Sequence, residues 1–281
     1  MSGLAELSQR LTRLKEISGI MTAMKSLSLV ETHKLARFIG HQRRMLANIE
    51  AAAADFLHFF PGESAGAVST LKQPAILLLI GSERGFCGNF NERVVAALDA
   101  LPQWEPSPAL LVVGHRLAAK LESNPGVNAR LDGATVTEEV PAVLNRLMDA
   151  VHASSRKLAG EGAALFSLAH EAEGEPTLKR LLPISPRPAP PLAYPPDLQL
   201  GPAGFFAELL DQYLLAALYG LLYESLAAES RQRLAHMEHA LDRLDETVSD
   251  LALKRNALRQ EKIVEEIEVI LSSEQVFADR R

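Results

Sequence analysis

The residue types best suited to chemistry gather in one short stretch, GSERGFCGNFN (81–91), between an apolar run and a segment with helical spacing. A glycine-bearing turn from strand to helix can cradle a phosphate. This one is neither GxGxxG nor GxxxxGK[ST], so it reads as a structural turn, with Asn91 the expected N-cap of a helix beginning at Glu92. Cys87 would need a neighbouring base to act as a nucleophile, and the sequence offers none, so burial as a small apolar residue is expected. Gly114-His115-Arg116 is equally unspecific. His236 and His239 lie one helical turn apart without a third ligand in reach, which suits a solvated helix face better than a metal site. There is no Ser/His/Asp order, paired-carboxylate motif or zinc signature. No catalytic, cofactor-binding or metal-ligating residue is therefore assigned.

Composition narrows the classes further. The 281 residues are 47% hydrophobic and 23% charged, with a formal net charge of -6. That balance argues against a general nucleic-acid binder, which needs a dominant basic surface. A single cysteine leaves no intramolecular disulfide. The N-terminus lacks the apolar core of a signal peptide. The longest uncharged apolar run, Tyr213 to Tyr223, is 11 residues long, short of the roughly 20 that span a bilayer. The expectation is a soluble chain, or one peripheral on a membrane-bound assembly.

Prolines show which elements hold these residues. All 16 lie between Pro61 and Pro202, and proline is excluded from helix interiors. The chain divides accordingly into an N-terminal helix (1–60), an α/β region (72–200) and a C-terminal helix (203–281). In the last part Leu234, Met237, Leu241, Leu244, Val248 and Leu251 follow at alternating steps of three and four, the apolar seam of a heptad repeat, and Leu258 extends it. Arg255 and Lys262 then fall on seam positions, and the apolar set reappears displaced at Ile263, Ile267 and Ile270, which predicts a register shift. Near the N-terminus Leu7, Leu11, Leu14 and Met21 form one stripe. Leu27, Leu35, Phe38, Met45, Ile49, Ala52, Phe56 and Phe59 continue it with drift. Helices of this length, roughly 80 and 110 Å, need a partner along their course, and each other is the nearest one. Between them, apolar runs at 75–80, 110–113 and 164–168 alternate with helical spacing at 90–100, 114–122 and 138–158, which indicates a largely parallel sheet. Residues 183–202 hold eight prolines and predict an extended connection.

Three segments in order resemble the gamma subunit family of F-type ATP synthases. Ile20-Met21-Thr22-Ala23-Met24-Lys25 looks like its I-T-x-A-M-x-x-V-A opening helix. SERGFCGNFN (82–91) resembles S-D-[RK]-G-L-C-G-G-L-N, with changes at Glu83 and Phe86. Residues 224–270 resemble E-x-x-A-S-E-x-x-x-R-M followed by N-x-x-R-Q-x-x-I, here Asn256, Arg259, Gln260 and Ile263. The resemblance covers nearly the whole chain. It implies a long antiparallel coiled coil of the terminal helices with an inserted α/β, Rossmann-like domain, an α+α/β fold. It implies a non-catalytic rotor shaft, one copy per complex, inside a ring of alternating alpha and beta subunits. Its α/β domain would sit against the epsilon subunit and the c-ring, on the cytoplasmic face of a bacterial inner membrane. It implies partner contacts at Met24, Lys25, Arg259 and Gln260, with nucleotide and magnesium bound elsewhere. Departures at Ser26, Ser28, Val264 and Ser272-Ser273-Glu274 look like a divergent branch, and one cysteine excludes the two-cysteine redox switch of plants. Without the resemblance, a free-standing helical-hairpin interaction protein or an α/β enzyme with helical arms would remain open.

Overall fold

The computed structural model describes residues 2–64, 74–158, 163–171, 174–184 and 194–278. Part of the proline-rich 183–202 connection lies outside them. Two long helices, α1 (Ser2–Phe59) and α5 (Pro202–Ala278), flank a five-stranded sheet with three shorter helices. The strands are β1 (Ala75–Ile80), β2 (Ala109–Val113), β3 (Val127–Leu131), β4 (Ala164–His170) and β5 (Pro176–Leu182); the helices are α2 (Phe90–Asp99), α3 (His115–Lys120) and α4 (Val140–Lys157). The chain forms two compact units: Met1–Leu27 with Leu234–Arg281, and Ser28–Arg233.

In the Ser28–Arg233 unit the sheet order is β3-β2-β1-β4-β5, parallel except for β5, which pairs antiparallel with β4. Every residue of β1 is buried, as a central parallel strand requires. Alternation sends Ile76, Leu78 and Ile80 to one face and Leu77 and Leu79 to the other. The first face meets Val143, Leu144 and Leu147 of α4, Leu35 and Ile39 of α1, and Leu214 and Leu218 of α5. The second meets Val94 of α2 and Leu117 of α3. Each fully buried aliphatic side chain contributes about 1.5–3 kcal/mol. Here α1 and α5 run antiparallel, since Arg43 bonds Glu224 while Phe56 stacks on Phe206. An 18-residue window of α5 reaches a mean hydropathy of 1.3. By composition that suits a membrane span, yet Tyr213, Leu214, Ala217, Leu218 and Leu221 belong to this core.

The three expected strands are β1, β2 and β4, and the sheet has two more. β3 and β5, at its edges, have no apolar run to announce them: β3 is VNARL, and β5 opens on a proline and carries Lys179 and Arg180.

The stripe on α1 does not drift. Leu4, Leu7, Leu11, Leu14, Ser18, Met21 and Lys25, then Ser28, Thr32, Leu35, Ile39, Gln42, Leu46, Ile49, Ala53 and Phe56, are all buried or half-buried and keep alternating steps of three and four. Leu27, Phe38 and Met45 lie off this line and are 64%, 44% and 42% exposed. Five polar residues on the line hide its period from a search for apolar side chains. Thr32 is accommodated by donating its hydroxyl to the Ser28 carbonyl of its own helix, at 2.8 Å.

Among its described residues the other unit consists of helix alone. Leu11, Met237 and Leu251 are buried; Leu234, Leu241, Leu244 and Val248 are half-buried. The expected register shift does not occur. Arg255 and Lys262 are half-buried on the same line, whereas Ile263, Ile267 and Ile270 are 46%, 50% and 57% exposed. Leu258 is 40% exposed. Lys25 bonds Glu238 at 3.0 Å. Ser2 lies 23 residues before Lys25, and Glu261 lies 23 residues beyond Glu238, so α5 outruns α1 here. Long aliphatic stems of Arg255 and Lys262 can cover a seam while their charges stay in water.

Candidate functional site

The turn between β1 and α2 is held from four directions. Gly81 donates its N–H to the Val113 carbonyl at the end of β2. Gly114 faces it with φ 105, and a Cβ there would lie 2.6 Å from the Gly81 carbonyl oxygen, so both the backbone angle and the space demand glycine. Asn91 does not cap a helix starting at Glu92. The helix begins at Phe90, and the Asn91 amide turns back, accepting from the Ser82 N–H at 2.9 Å and donating to the Ser82 hydroxyl at 2.8 Å. Glu83 accepts from the N–H groups of His115, at 2.9 Å, and Gly133, at 2.7 Å. Its carboxylate so closes the start of α3. The donors a phosphate would require are therefore taken up in part by the chain's own side chains.

The fourth attachment comes from α5. Glu229 and Arg233, one helical turn apart, form an ion pair that is only 3% and 6% exposed. Glu229 Oε1 accepts from the Arg84 N–H at 3.4 Å, and Arg233 Nε donates to the Gly85 carbonyl at 3.3 Å. Cys87 is buried between them. Its thiol lies 3.9 Å from Glu229 Oε1 and 3.5 Å from Arg233 Nη2. Burial, aided by Glu229, pushes the thiol up to about 11, so it is not a ready nucleophile. Burial also raises Glu229, against the pull of Arg233 and of the turn's N–H groups. Cys87 is buried as the sequence leads one to expect, but its setting is mixed: Phe90 and Ala228 lie beside it, with a buried ion pair on the other side. At the tip, Phe86 adopts φ 65 and is 59% exposed.

The four expected contact residues lie in the helical unit. Met24 is half-buried, and Lys25 spends its ammonium on Glu238. Arg259 and Gln260 are exposed, next to Arg255, which donates to the Asn256 side-chain oxygen at 3.1 Å. His236 and His239 are exposed on α5. The residues that spacing alone did not single out are Glu229 and Arg233. Their signal is a Glu and an Arg at i, i+4 right after the most apolar run of the chain, within the 224–270 segment that carries the family pattern.

A family model described as ATP synthase matches residues 3–275. Similar chains include the ATP synthase gamma chain of Aromatoleum aromaticum, 23% identical over 93% of this chain and 96% of that one. The ATP synthase gamma chain of Chlorobium luteolum is 27% identical over 92% and 94%. Among solved structures, the rotor of Euglena gracilis mitochondrial ATP synthase in rotational state 1 superposes with a TM-score of 0.61 at 10% identity, covering 92% of this chain and 98% of the other. A chain of the OSCP/F1/c-ring assembly of the same synthase, in rotational state 3, gives 0.64 at 13% identity over 98% and 94%. At such identities the structural likeness is one of fold.

Proposed function

The chain belongs to the ATP synthase gamma subunit family, and on that premise we propose that it is the central shaft of a rotary F-type ATPase. The observation that carries the reading is the extent of the match, 3–275, which takes in both end helices and the sheet between them. The chain is a non-catalytic subunit of a complex whose F1 part is peripheral to a membrane. We place it on the cytoplasmic face of a bacterial inner membrane, one copy per complex. Its partners are alpha and beta subunits around the helices and epsilon and the c-ring at the sheet.

A shaft works by differential binding. Each angle presents another face to each catalytic subunit, and the difference in contact free energy biases that subunit's conformation. Arg259 and Gln260 suit this task, because both are exposed and offer a guanidinium fork beside an amide. A charge-assisted contact of about 1.5–3 kcal/mol is enough to favour one angle and can still break each turn. Met24 and Lys25 are the matching contact on α1. Lys25 must leave Glu238 to reach a partner; an exposed pair costs only about 0–1 kcal/mol to break.

The test is isolation of the membrane ATPase through an affinity tag on this chain. Alpha and beta subunits and ATPase activity should come with it. Recovery of the chain alone, from cells whose ATPase is intact, would reject the reading.

A further inference from the structure

We propose that Glu229 and Arg233 are positioning residues that pin the Ser82–Gly88 turn to α5, so that the sheet and this helix rotate as one body. The proposal rests on the rotor reading, in which torque enters through the sheet and leaves through the helices. The Ser28–Arg233 unit must then carry the whole torque across its own joint between sheet and helix.

On α1 the joint includes Glu31, which accepts from the Thr137 hydroxyl at 2.8 Å, and Lys34, which bonds Glu138 at 3.1 Å; on α5 it has two parts of different kinds. One is apolar: Leu214, Leu218 and Leu221 of α5 against the sheet face. Apolar contact is non-directional, and it resists separation better than sliding. The other is the clasp at Glu229 and Arg233, where the bonds are directional and reach backbone atoms at Arg84 and Gly85. Glu229 lies eight residues beyond Leu221, about 12 Å further along the helix, with Leu226, Ala227 and Ala228 buried in between. Rotation of the sheet about the helix must stretch or break these bonds, whereas an apolar face can slide. The turn is also fixed on the sheet side by Gly81, Asn91 and Glu83, so a bond to its backbone is a bond to the ends of β1 and β2. A buried ion pair is weak support for stability, since apolar side chains of similar size often do as well or better. Stability alone therefore does not account for its place between turn and helix.

The experiment replaces the pair by apolar side chains of similar length, Glu229→Met with Arg233→Met, in the full complex. Three quantities are read: ATP hydrolysis, ATP-driven ion uptake into membrane vesicles, and hydrogen exchange at residues 83–87. The double variant should assemble and melt near the wild type. Hydrolysis should stay within roughly twofold, ion uptake per ATP should fall by about threefold or more, and exchange at the turn should quicken. Unchanged uptake per ATP with faster exchange would overturn the proposal, leaving the clasp a local packing feature. Should the double variant fail to assemble, Arg233→Lys keeps the charge but loses the fork, and it should give an intermediate uptake ratio; a wild-type ratio there would also overturn it. Wild-type complex that hydrolyses ATP without driving uptake in the same vesicles would count against the rotor reading instead.

Discussion

The two units bury their side chains on different plans. Ser28–Arg233 has a sheet packed on both faces, with Leu78, Leu79, Leu111 and Leu147 fully out of water. In the helical unit only Leu11, Met237 and Leu251 are buried among the described residues, while Ile17, Ile20, Leu253 and Ile263 stand 45–66% exposed. The first resembles an ordinary domain that carries its own stability. The second holds itself by one thin seam. A helix pair so lightly buried is suited to making and breaking contacts with a surrounding ring.

The largest effect should follow a charge placed in the sheet. Leu78→Asp buries an unpaired carboxylate at the centre of β1, at a cost of several kcal/mol, enough to remove the cooperative melt of the isolated chain. Leu241→Asp with Leu244→Asp strikes only half-buried seam positions. It should leave the sheet's melt in place and prevent assembly of the complex. Equal loss of folding from both variants would erase the contrast.

Next comes Arg233→Ala, which strands the buried Glu229 carboxylate. A loss of about 3–5 kcal/mol in denaturant unfolding is expected. In the helical unit the corresponding change, Lys25→Ala, breaks a pair whose side chains are 38% and 48% exposed, and should cost less than about 1 kcal/mol. Similar values would mean that burial does not separate the units as described.

Alkaline pH should act on the sheet unit through Cys87. Its folded value of about 11 stands above the ordinary thiol value of 9.0, so the native fold favours the neutral thiol. That contribution is complete below pH 9 and is lost as pH rises to 11; two pKa units correspond to about 2.7 kcal/mol at most. Tyr213 and Tyr223, raised by burial to about 12 from 10.0, act only at higher pH. Melting temperatures from pH 8 to 10 should fall less steeply for Cys87→Ser than for the wild type. Parallel curves would remove the thiol from the account.

How much of this could be read from sequence follows from the same contrast. β1, β2 and β4 announce themselves as apolar runs because both of their faces are covered. β3 and β5 lie at the edges, where Arg130 and Lys179 are tolerated, and carry no such run. The seam of α1 is hidden in the sequence because Ser18, Lys25, Ser28, Thr32 and Gln42 occupy it, while Phe38 and Met45 lie beside it. The 81–91 turn reads as structural in sequence because it lacks the phosphate-binding motifs; in the structure its Ser82 and Arg84 N–H groups are taken by Asn91 and Glu229. The clasp joins residues 145 positions apart, which no local spacing reveals.

The smallest stability effect belongs to Arg259→Ala with Gln260→Ala. Both side chains are exposed, so melting should shift by no more than about 0.5 kcal/mol, while ATP turnover or coupling of the assembled complex falls. Equal loss of melting and turnover would indicate a folding role.

The central claim, that this chain turns, is tested most directly by watching it. A Glu122→Cys substitution on the exposed end of α3's turn, made with Cys87→Ser, gives one attachment point for a visible probe. With the catalytic ring fixed to a surface, ATP should drive stepwise rotation of the probe in one direction. A complex that contains the chain and hydrolyses ATP while the probe stays fixed would contradict the account.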